Sequence, residues 1–82
     1  MLSVLIPTYN YNVYPLVTEL KSQADALGIA YEILVQDDAS TFFLKENTEI
    51  NLLQHCSYTV NHENLGRGNN INLLNNRANF DY

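Results

Sequence analysis

Residues 31–38 read YEILVQDD, and this stretch decides the fold. A strand is predicted over Tyr31 to Val35. Its apolar residues Ile33, Leu34 and Val35 are consecutive, which is typical of a parallel strand covered on both faces. A second run of branched apolar residues, Leu2 to Ile6, predicts another strand. We expect Pro7 to close it, because proline has no N–H to donate to a sheet ladder.

The segment between these two strands predicts an amphipathic helix. From Val13 to Leu27 the apolar residues recur at the spacing of one helical stripe, and polar residues fill the other positions. Asn12 is the expected N-cap, and Gly28 is expected to end the helix. A strand, a helix and a strand in this order form a βαβ unit, which almost always crosses over right-handedly.

The remaining elements are predicted from weaker patterns. They are a second helix from Phe42 to Gln54, a short strand from Ser57 to Asn61, and a third helix opened by Gly66 that carries Ile71, Leu74 and Ala78 on one side. The order β-α-β-α-β-α predicts an α/β fold with an open, mostly parallel, three-stranded sheet and flanking helices. We expect residues 1–82 to form a single structural unit.

Composition excludes several classes of function. Four Lys and Arg against nine Asp and Glu give a net charge of −5, so the chain lacks the cations that neutralise nucleic acid phosphates or anionic lipids. Cys56 is the only cysteine, which excludes an internal disulfide framework. No apolar run approaches the roughly 20 residues of a membrane span, and no signal peptide is recognisable. We therefore expect a cytoplasmic protein with no nucleic acid partner and no membrane span.

Polar clusters follow the predicted strands where a parallel α/β sheet binds its ligands. They are Thr8-Tyr9-Asn10 after the first strand, Asp37-Asp38-Ala39-Ser40 after the second, and Asn64-Leu65-Gly66-Arg67 before the last helix. Ligands of open parallel sheets bind beyond the carboxyl ends of the strands. The sequence therefore predicts that the three loops meet at one rim.

Each cluster admits a binding role and a plainer structural one. Asp37 and Asp38 should point to opposite sides of the strand, so that one faces a cleft and accepts a hydrogen bond while the other caps a turn. Tyr9 could stack on a planar base, and Gly66 with Arg67 could approach a phosphate. The alternatives are that both aspartates are turn residues and helix caps, that Tyr9 covers the sheet edge, and that Gly66 is an ordinary turn residue.

The histidines and the cysteine give no metal motif. His55, Cys56 and His62 match no known zinc spacing, so we expect no metal site there.

Three segments together resemble the family 2 glycosyltransferases. Residues 2–10, LSVLIPTYN, resemble the opening strand of the family. Residues 31–40, YEILVQDDAS, resemble its second strand and the Asp-Asp-Gly-Ser turn that follows. The sequence Asn64-Leu65-Gly66-Arg67, followed by Asn72, resembles the Asn-x-Gly segment that leads into the next helix. The similarity covers nearly the whole chain in the order of the family.

This resemblance implies a GT-A fold with a Rossmann-like nucleotide-binding half. Such enzymes transfer a sugar from a nucleotide-sugar, here with a UDP-sugar as the favoured donor, to a saccharide or lipid-linked acceptor, usually with inversion. By resemblance, Tyr9 stacks on the base and Asp38 hydrogen-bonds to it. The backbone of Pro7 and Thr8 lines the base pocket, and Gly66 borders the nucleotide. Asn10, Asp37 and Arg67 complete the expected nucleotide-binding set.

Two positions depart from the pattern of the family. Ala39 stands where the family often has Gly, and Ile71 stands where it often has Arg. The second departure removes a usual cationic contact, which Arg67 could replace.

The family resemblance also sets expectations about what lies beyond the chain. In the family, the next strand carries an Asp-x-Asp motif that holds Mg²⁺ or Mn²⁺, and it would follow Tyr82. We therefore expect no metal ligand and no catalytic residue in this chain, which by itself would be inactive. The alternative is a free-standing, non-catalytic nucleotide-binding or regulatory module. Without that neighbouring strand, Leu2 to Ile6 would form an open edge through which a homodimer could assemble.

Overall fold

A computed structural model describes residues 2–66, 69–70, 73 and 76–77. The helices and strands, in chain order, are β1 (Leu2–Thr8), α1 (Tyr14–Leu27), β2 (Tyr31–Asp37), α2 (Leu44–Thr48), a 3₁₀ helix (Glu49–Leu52) and β3 (Cys56–Val60). The described residues from 69 onward are helical.

The described strands form one parallel sheet with β2 in the centre. The strand order is β1-β2-β3, with Leu2 opposite Tyr31 and Asp37 opposite Val60. Every residue of β2 is buried. The α/β class with a three-stranded parallel sheet flanked by helices is therefore confirmed, and so is the prediction that the central strand is covered on both faces.

The expectation that Pro7 closes the first strand is wrong, because β1 continues to Thr8. The main-chain atoms of Leu2 and Thr8 bond to Ala30 and Asp38 on the β2 side. Since alternate residues of a parallel strand bond to the same neighbour, the nitrogen of Pro7 faces away from β2. The missing N–H therefore costs no bond to β2, as is usual for proline in an edge strand. Within the described part of the chain, no second strand pairs with β1.

The apolar core lies between β2 and the helices on one of its faces. Val17 of α1 and Ile50 of the 3₁₀ helix are fully buried against Ile33 and Val35. Fully burying side chains of this kind contributes roughly 1.5–3 kcal/mol each. Gln36 lies on the opposite face of β2. Its side chain accepts a hydrogen bond from Arg77, one of the described helical residues.

The caps of α1 differ slightly from the prediction. The N-cap residue is Val13, one position after the predicted Asn12. Asn12 Oδ1 nevertheless accepts a hydrogen bond from the N–H of Tyr14 at 3.1 Å, so it satisfies one of the free amides of the first turn. Gly28 ends the helix as predicted, in the left-handed conformation with φ of 67°.

The predicted helix from Phe42 to Gln54 is interrupted. Phe43 has a φ of 64°, so α2 begins only at Leu44. The Thr48 hydroxyl donates to the carbonyl of Leu44, a back-bond that bends helices, and the chain then continues as a 3₁₀ helix. Asn51 binds both main-chain polar groups of Tyr58, at 2.8 and 3.2 Å, which ties this segment to β3 and ends the helix early.

The last two predicted elements agree in part. β3 covers Cys56–Val60, one residue earlier than predicted. Asn69 and Asn70 are helical, and Asn70 donates its N–H to the carbonyl of Gly66 at 3.0 Å. The predicted stripe of Ile71, Leu74 and Ala78 lies outside the described residues. In the described ranges, no helix is long and apolar enough to cross a membrane.

Candidate functional site

A cavity of about 400 Å³ opens at the carboxyl ends of β1 and β2. Five of the eight residues predicted for the site line it, namely Pro7, Thr8, Tyr9, Asp38 and Gly66. Asn64 and Asn70 complete the lining. The prediction that the three loops meet at one rim is therefore confirmed for the residues that the structure describes. Two other predicted residues, Asn10 and Asp37, are described below. The last one, Arg67, lies outside the described residues.

Asp37 does not reach the cavity. Its side chain is fully buried and accepts hydrogen bonds from the Ser40 N–H at 2.8 Å, from the Ser40 hydroxyl and from the Tyr58 hydroxyl. Burial raises the pKa of Tyr58, and the hydrogen bond to Asp37 raises it further, so the phenol stays a donor. Asp37 thus caps the turn after β2.

Through Ser40, Asp37 holds the loop that follows β1. The Asn10 N–H donates to Ser40 Oγ at 2.6 Å. Asn10 Oδ1 in turn accepts from the N–H groups of Thr41 and Phe42, at 2.8 and 3.2 Å. Asn10 therefore joins two loops instead of lining the cavity. Because Tyr9 precedes Asn10, these bonds also anchor the backbone from which Tyr9 projects.

Asp38 faces the cavity side, and its carboxylate holds the loop after β3. Oδ1 accepts from the Leu65 N–H at 2.7 Å and from Asn61 Nδ2 at 3.0 Å. Oδ2 accepts from the Gly66 N–H at 2.9 Å. A carboxylate has about four acceptor positions, so one position on Oδ2 is left by these three bonds. Asp38 therefore binds the loop, and the described residues leave it one acceptor position for a further donor.

The electrostatic state of Asp38 follows from these contacts. Its side chain is only 5% exposed. Burial raises the pKa of Asp38, but the hydrogen bonds from Leu65, Asn61 and Gly66 outweigh burial and hold the pKa below its ordinary value. Asp38 is therefore a carboxylate at neutral pH, and it can accept hydrogen bonds but not donate them.

Tyr9 and Gly66 line the cavity together with Asp38. The Tyr9 side chain is 53% exposed, so part of its surface is available to a planar ligand. Gly66 has a φ of 83°, in the left-handed region that favours glycine. A Cβ built there would meet no atom of the described residues within 4 Å, so none of them fills the space beside this turn.

Several asparagines belong to the site although sequence reasoning assigned them no role. Asn64 lines the cavity, and its Nδ2 lies 3.3 Å from the carbonyl oxygen of Asp38, to which it donates. Asn70 is 1% exposed, and it donates to the carbonyl of Gln36 at 2.9 Å. Asn61 connects Asp38, Asn70 and Gln36. The signal in the sequence was the concentration of asparagine after residue 60, which by itself names no partner.

The described residues do not fit a divalent metal. In the ranges given above there is no group of three or more His, Cys, Asp or Glu that could hold one. Asp37 and Asp38 accept hydrogen bonds from hydroxyl and amide donors, so they do not converge on a common point. His55 packs edge-on against Tyr31, with ring centroids 5.2 Å apart, and burial raises the pKa of the Cys56 thiol.

The described lining of the cavity suits a planar ligand that has a polar edge. It offers one anionic acceptor at Asp38, the exposed ring of Tyr9, and contacts with Pro7 and Thr8. Among the described residues, no Lys or Arg lines it. Arg77 donates to Gln36 and to Ser57, away from the cavity. The described lining can accept a hydrogen bond from a ligand N–H at Asp38 and contact a flat ligand face at Tyr9.

One comparison with known proteins gives a match. The family model described as Glycosyl transferase family 2 matches residues 3–82. No curated protein matches the chain.

Proposed function

The chain belongs to glycosyl transferase family 2, and we propose that its cavity binds the base of a nucleotide-sugar donor. The family performs glycosyl transfer and generally uses nucleotide-sugar donors and divalent metals. Within it, we assign residues 1–82 to the nucleotide-binding portion of a GT-A domain. The proposed reaction is transfer from a UDP-sugar, with inversion, to a saccharide or lipid-linked acceptor in the cytoplasm.

The observation that carries this proposal is the meeting of Tyr9 and Asp38 at one cavity. An exposed aromatic ring gives a stacking surface for any base, worth roughly 1–3 kcal/mol. The remaining acceptor position of Asp38 suits an N–H of the base, such as the one between the two carbonyls of uracil. The volume of about 400 Å³ lies in the range of small-molecule pockets.

The other lining residues support the same assignment. Pro7 and Thr8 line the cavity wall, and no described residue fills the space beside the left-handed turn at Gly66. Asp37 holds the loop after β1 through Ser40, and Asp38 holds the loop after β3, so the pocket is formed before a ligand arrives. A site that is preorganised in this way loses little free energy to ordering when it binds.

The test is a titration of ¹⁵N-labelled chain with UDP and, in parallel, with GDP, followed by amide shifts. We expect binding in the high micromolar range or weaker. Shifts should be concentrated in Thr8, Tyr9, Asp38 and Gly66. Tyr9→Ala should weaken binding by about 5- to 150-fold, because it removes the stacking surface.

Tyr11→Ala is the matched control. Tyr11 is 64% exposed in the same loop but does not line the cavity. It should leave the affinity within about twofold, as expected for a surface substitution away from the ligand. Equal losses in the two variants, or the absence of shifts at the cavity with either nucleotide, would refute the proposed base site.

A further inference from the structure

We propose that Asn61 is a positioning residue for this cavity. Its amide holds the Asp38 carboxylate in the orientation that binds the Leu65–Gly66 loop, and through this loop it sets the shape of the site. The effect on ligand affinity rests on the proposed nucleotide function. The effect on the loop does not, since it needs no ligand.

The Asn61 side chain lies where three segments of the chain meet. Its Nδ2 donates to Asp38 Oδ1 at 3.0 Å and to Asn70 Oδ1 at 2.9 Å. Its Oδ1 accepts from Gln36 Nε2. Its main-chain N–H donates to the carbonyl of Asp37 at 2.8 Å, which anchors the residue directly after β3.

These bonds define one orientation of the amide. Both hydrogens of Nδ2 are used, one on Asp38 and one on Asn70. Rotating the amide by half a turn would place its oxygen against two other acceptor oxygens and its NH₂ against the NH₂ of Gln36. Acceptors that face each other without a hydrogen repel, so the network permits a single arrangement.

The same arrangement fixes two parts of the cavity wall. Asn70 lines the cavity and donates to the main chain of Gln36 at 2.9 Å, so the circuit through Gln36, Asn61 and Asn70 is closed. Asp38 receives the Asn61 amide and the Leu65 N–H on the same oxygen, Oδ1. This leaves Oδ2 turned to the Gly66 N–H. An amide donor at position 61 therefore orients the carboxylate that orients the loop.

The decisive substitution is Asn61→Asp, which keeps the shape of the side chain and removes both donors. At pH 7.5 it places a second carboxylate against Asp38. We expect hydrogen exchange at the Leu65 and Gly66 amides to accelerate by about tenfold or more, and the Kd for UDP to rise by up to the same factor. Asn51→Asp is the matched control. Asn51 makes two hydrogen bonds to Tyr58, and its replacement by Asp adds the same charge, but in the described part of the chain neither bond reaches a residue that lines the cavity.

A pH series separates positioning from a general loss of structure. A carboxylate that faces a second carboxylate takes up a proton at a higher pH than an isolated carboxylate does. As the pH falls from 7.5 to 5, Asn61→Asp should therefore regain a hydrogen-bond donor at this position. Its affinity for UDP and its amide protection should recover with that donor. The other charged or titratable groups around this position are Asp37, His62, Glu63 and Arg77. These groups are present in the wild type, in Asn61→Asp and in Asn51→Asp, so a difference between their pH profiles reports on position 61.

Each outcome decides a separate question. Faster exchange at Leu65 and Gly66 in Asn61→Asp alone, reversed at low pH, supports the inference. Unchanged exchange at these amides overturns it, whether or not UDP binds. If the wild-type chain binds neither UDP nor GDP, the proposed function fails, and the exchange data still judge the role of Asn61. If UDP binds to wild type and to Asn61→Asp with equal Kd, the loop does not shape the site and the inference is wrong.

Discussion

Replacing Asp38 by Asn should open the loop at residues 64–66 and weaken nucleotide binding. An amide offers one oxygen where the carboxylate has two. If it keeps the bonds to Leu65 and Asn61, its NH₂ group faces the Gly66 N–H, which now lies 2.9 Å from Oδ2. If it is turned the other way, it loses the bonds to Leu65 and Asn61. In either orientation at least one main-chain donor meets another donor.

The magnitude follows from the bonds that are lost. A hydrogen bond to a charged group contributes about 1.5–3 kcal/mol. The Gly66 N–H also donates to Asn64 Oδ1 at 3.1 Å, which retains part of the turn. We therefore expect a cost near the lower end, about 2 kcal/mol, which is about a thirtyfold shift in the equilibrium between closed and open loop. If UDP binds only to the closed form, this factor is the upper limit for the rise in its Kd, which begins once the open form is substantially populated in the variant.

The assay is the amide titration with UDP, combined with hydrogen exchange at Leu65 and Gly66. Asp37→Asn is the comparison, because the same change one residue earlier affects a side chain that does not line the cavity and acts on the Tyr9 loop only indirectly, through Ser40. Asp37→Asn should lower the midpoint of unfolding, but in the folded protein it should weaken UDP binding far less than Asp38→Asn does. If the two substitutions weaken binding equally at a temperature where both variants are folded, the assignment of Asp38 is refuted.

Acid should have the same effect as the substitution, reversibly. Because the pKa of Asp38 in the folded chain lies below its ordinary value, its hydrogen bonds favour the folded state over the unfolded one wherever the group is ionised. This contribution is complete above about pH 5, and it is lost as the pH falls below about 3.9 and through the lower pKa of the folded state. Exchange protection at Gly66, corrected for the intrinsic rate, should therefore be constant from pH 8 to 5 and fall only at lower pH. A fall centred near pH 6 would exclude Asp38 as its cause.

Two further predictions concern the fold that carries the site. Tyr58→Phe should lower the free energy of unfolding by about 1–3 kcal/mol in chemical denaturation, because it leaves a buried oxygen of Asp37 without its donor. The control Tyr11→Phe, at an exposed tyrosine, should stay within about 0.5 kcal/mol of wild type, and equal stabilities would exclude a net contribution from the Tyr58 hydroxyl. Sedimentation equilibrium should show reversible association of the chain through the outer edge of β1, with slower exchange of the Leu5 amide at high concentration. A stable monomer in which that amide is already protected would contradict it.

The strands, the first helix and the meeting of the three loops could be predicted because each depends on local pattern. Ile33, Leu34 and Val35 predict a buried strand by their sequence alone, and the stripe from Val13 to Leu27 predicts one helix face. The carboxyl ends of parallel strands meet at one edge, so the position of the rim follows from topology. None of these inferences depends on the hydrogen bonds between particular side chains.

The features that were missed depend on contacts between distant residues. The early end of the second helical segment involves Asn51, whose partner Tyr58 belongs to another element. The Asp38 partners Leu65 and Gly66 lie 27 and 28 residues away in sequence. Hydrogen bonds from a side chain to a distant main chain leave no periodic signal. An Asp at a strand end therefore predicts an acceptor, but it does not predict what that acceptor binds.

The acidic pair at the end of β2 has a structural reason that is independent of any ligand. Successive residues of a strand point to opposite sides, so Asp37 and Asp38 reach two different loops. The groups that they meet there are all donors: the N–H and hydroxyl of Ser40 and the Tyr58 hydroxyl on one side, and the N–H groups of the 64–66 loop with the Asn61 amide on the other. Only a carboxylate accepts from several donors without presenting one of its own. The two carboxylates therefore stabilise the walls of the cavity. We propose that the base binds to the acceptor position of Asp38 that no described wall residue uses.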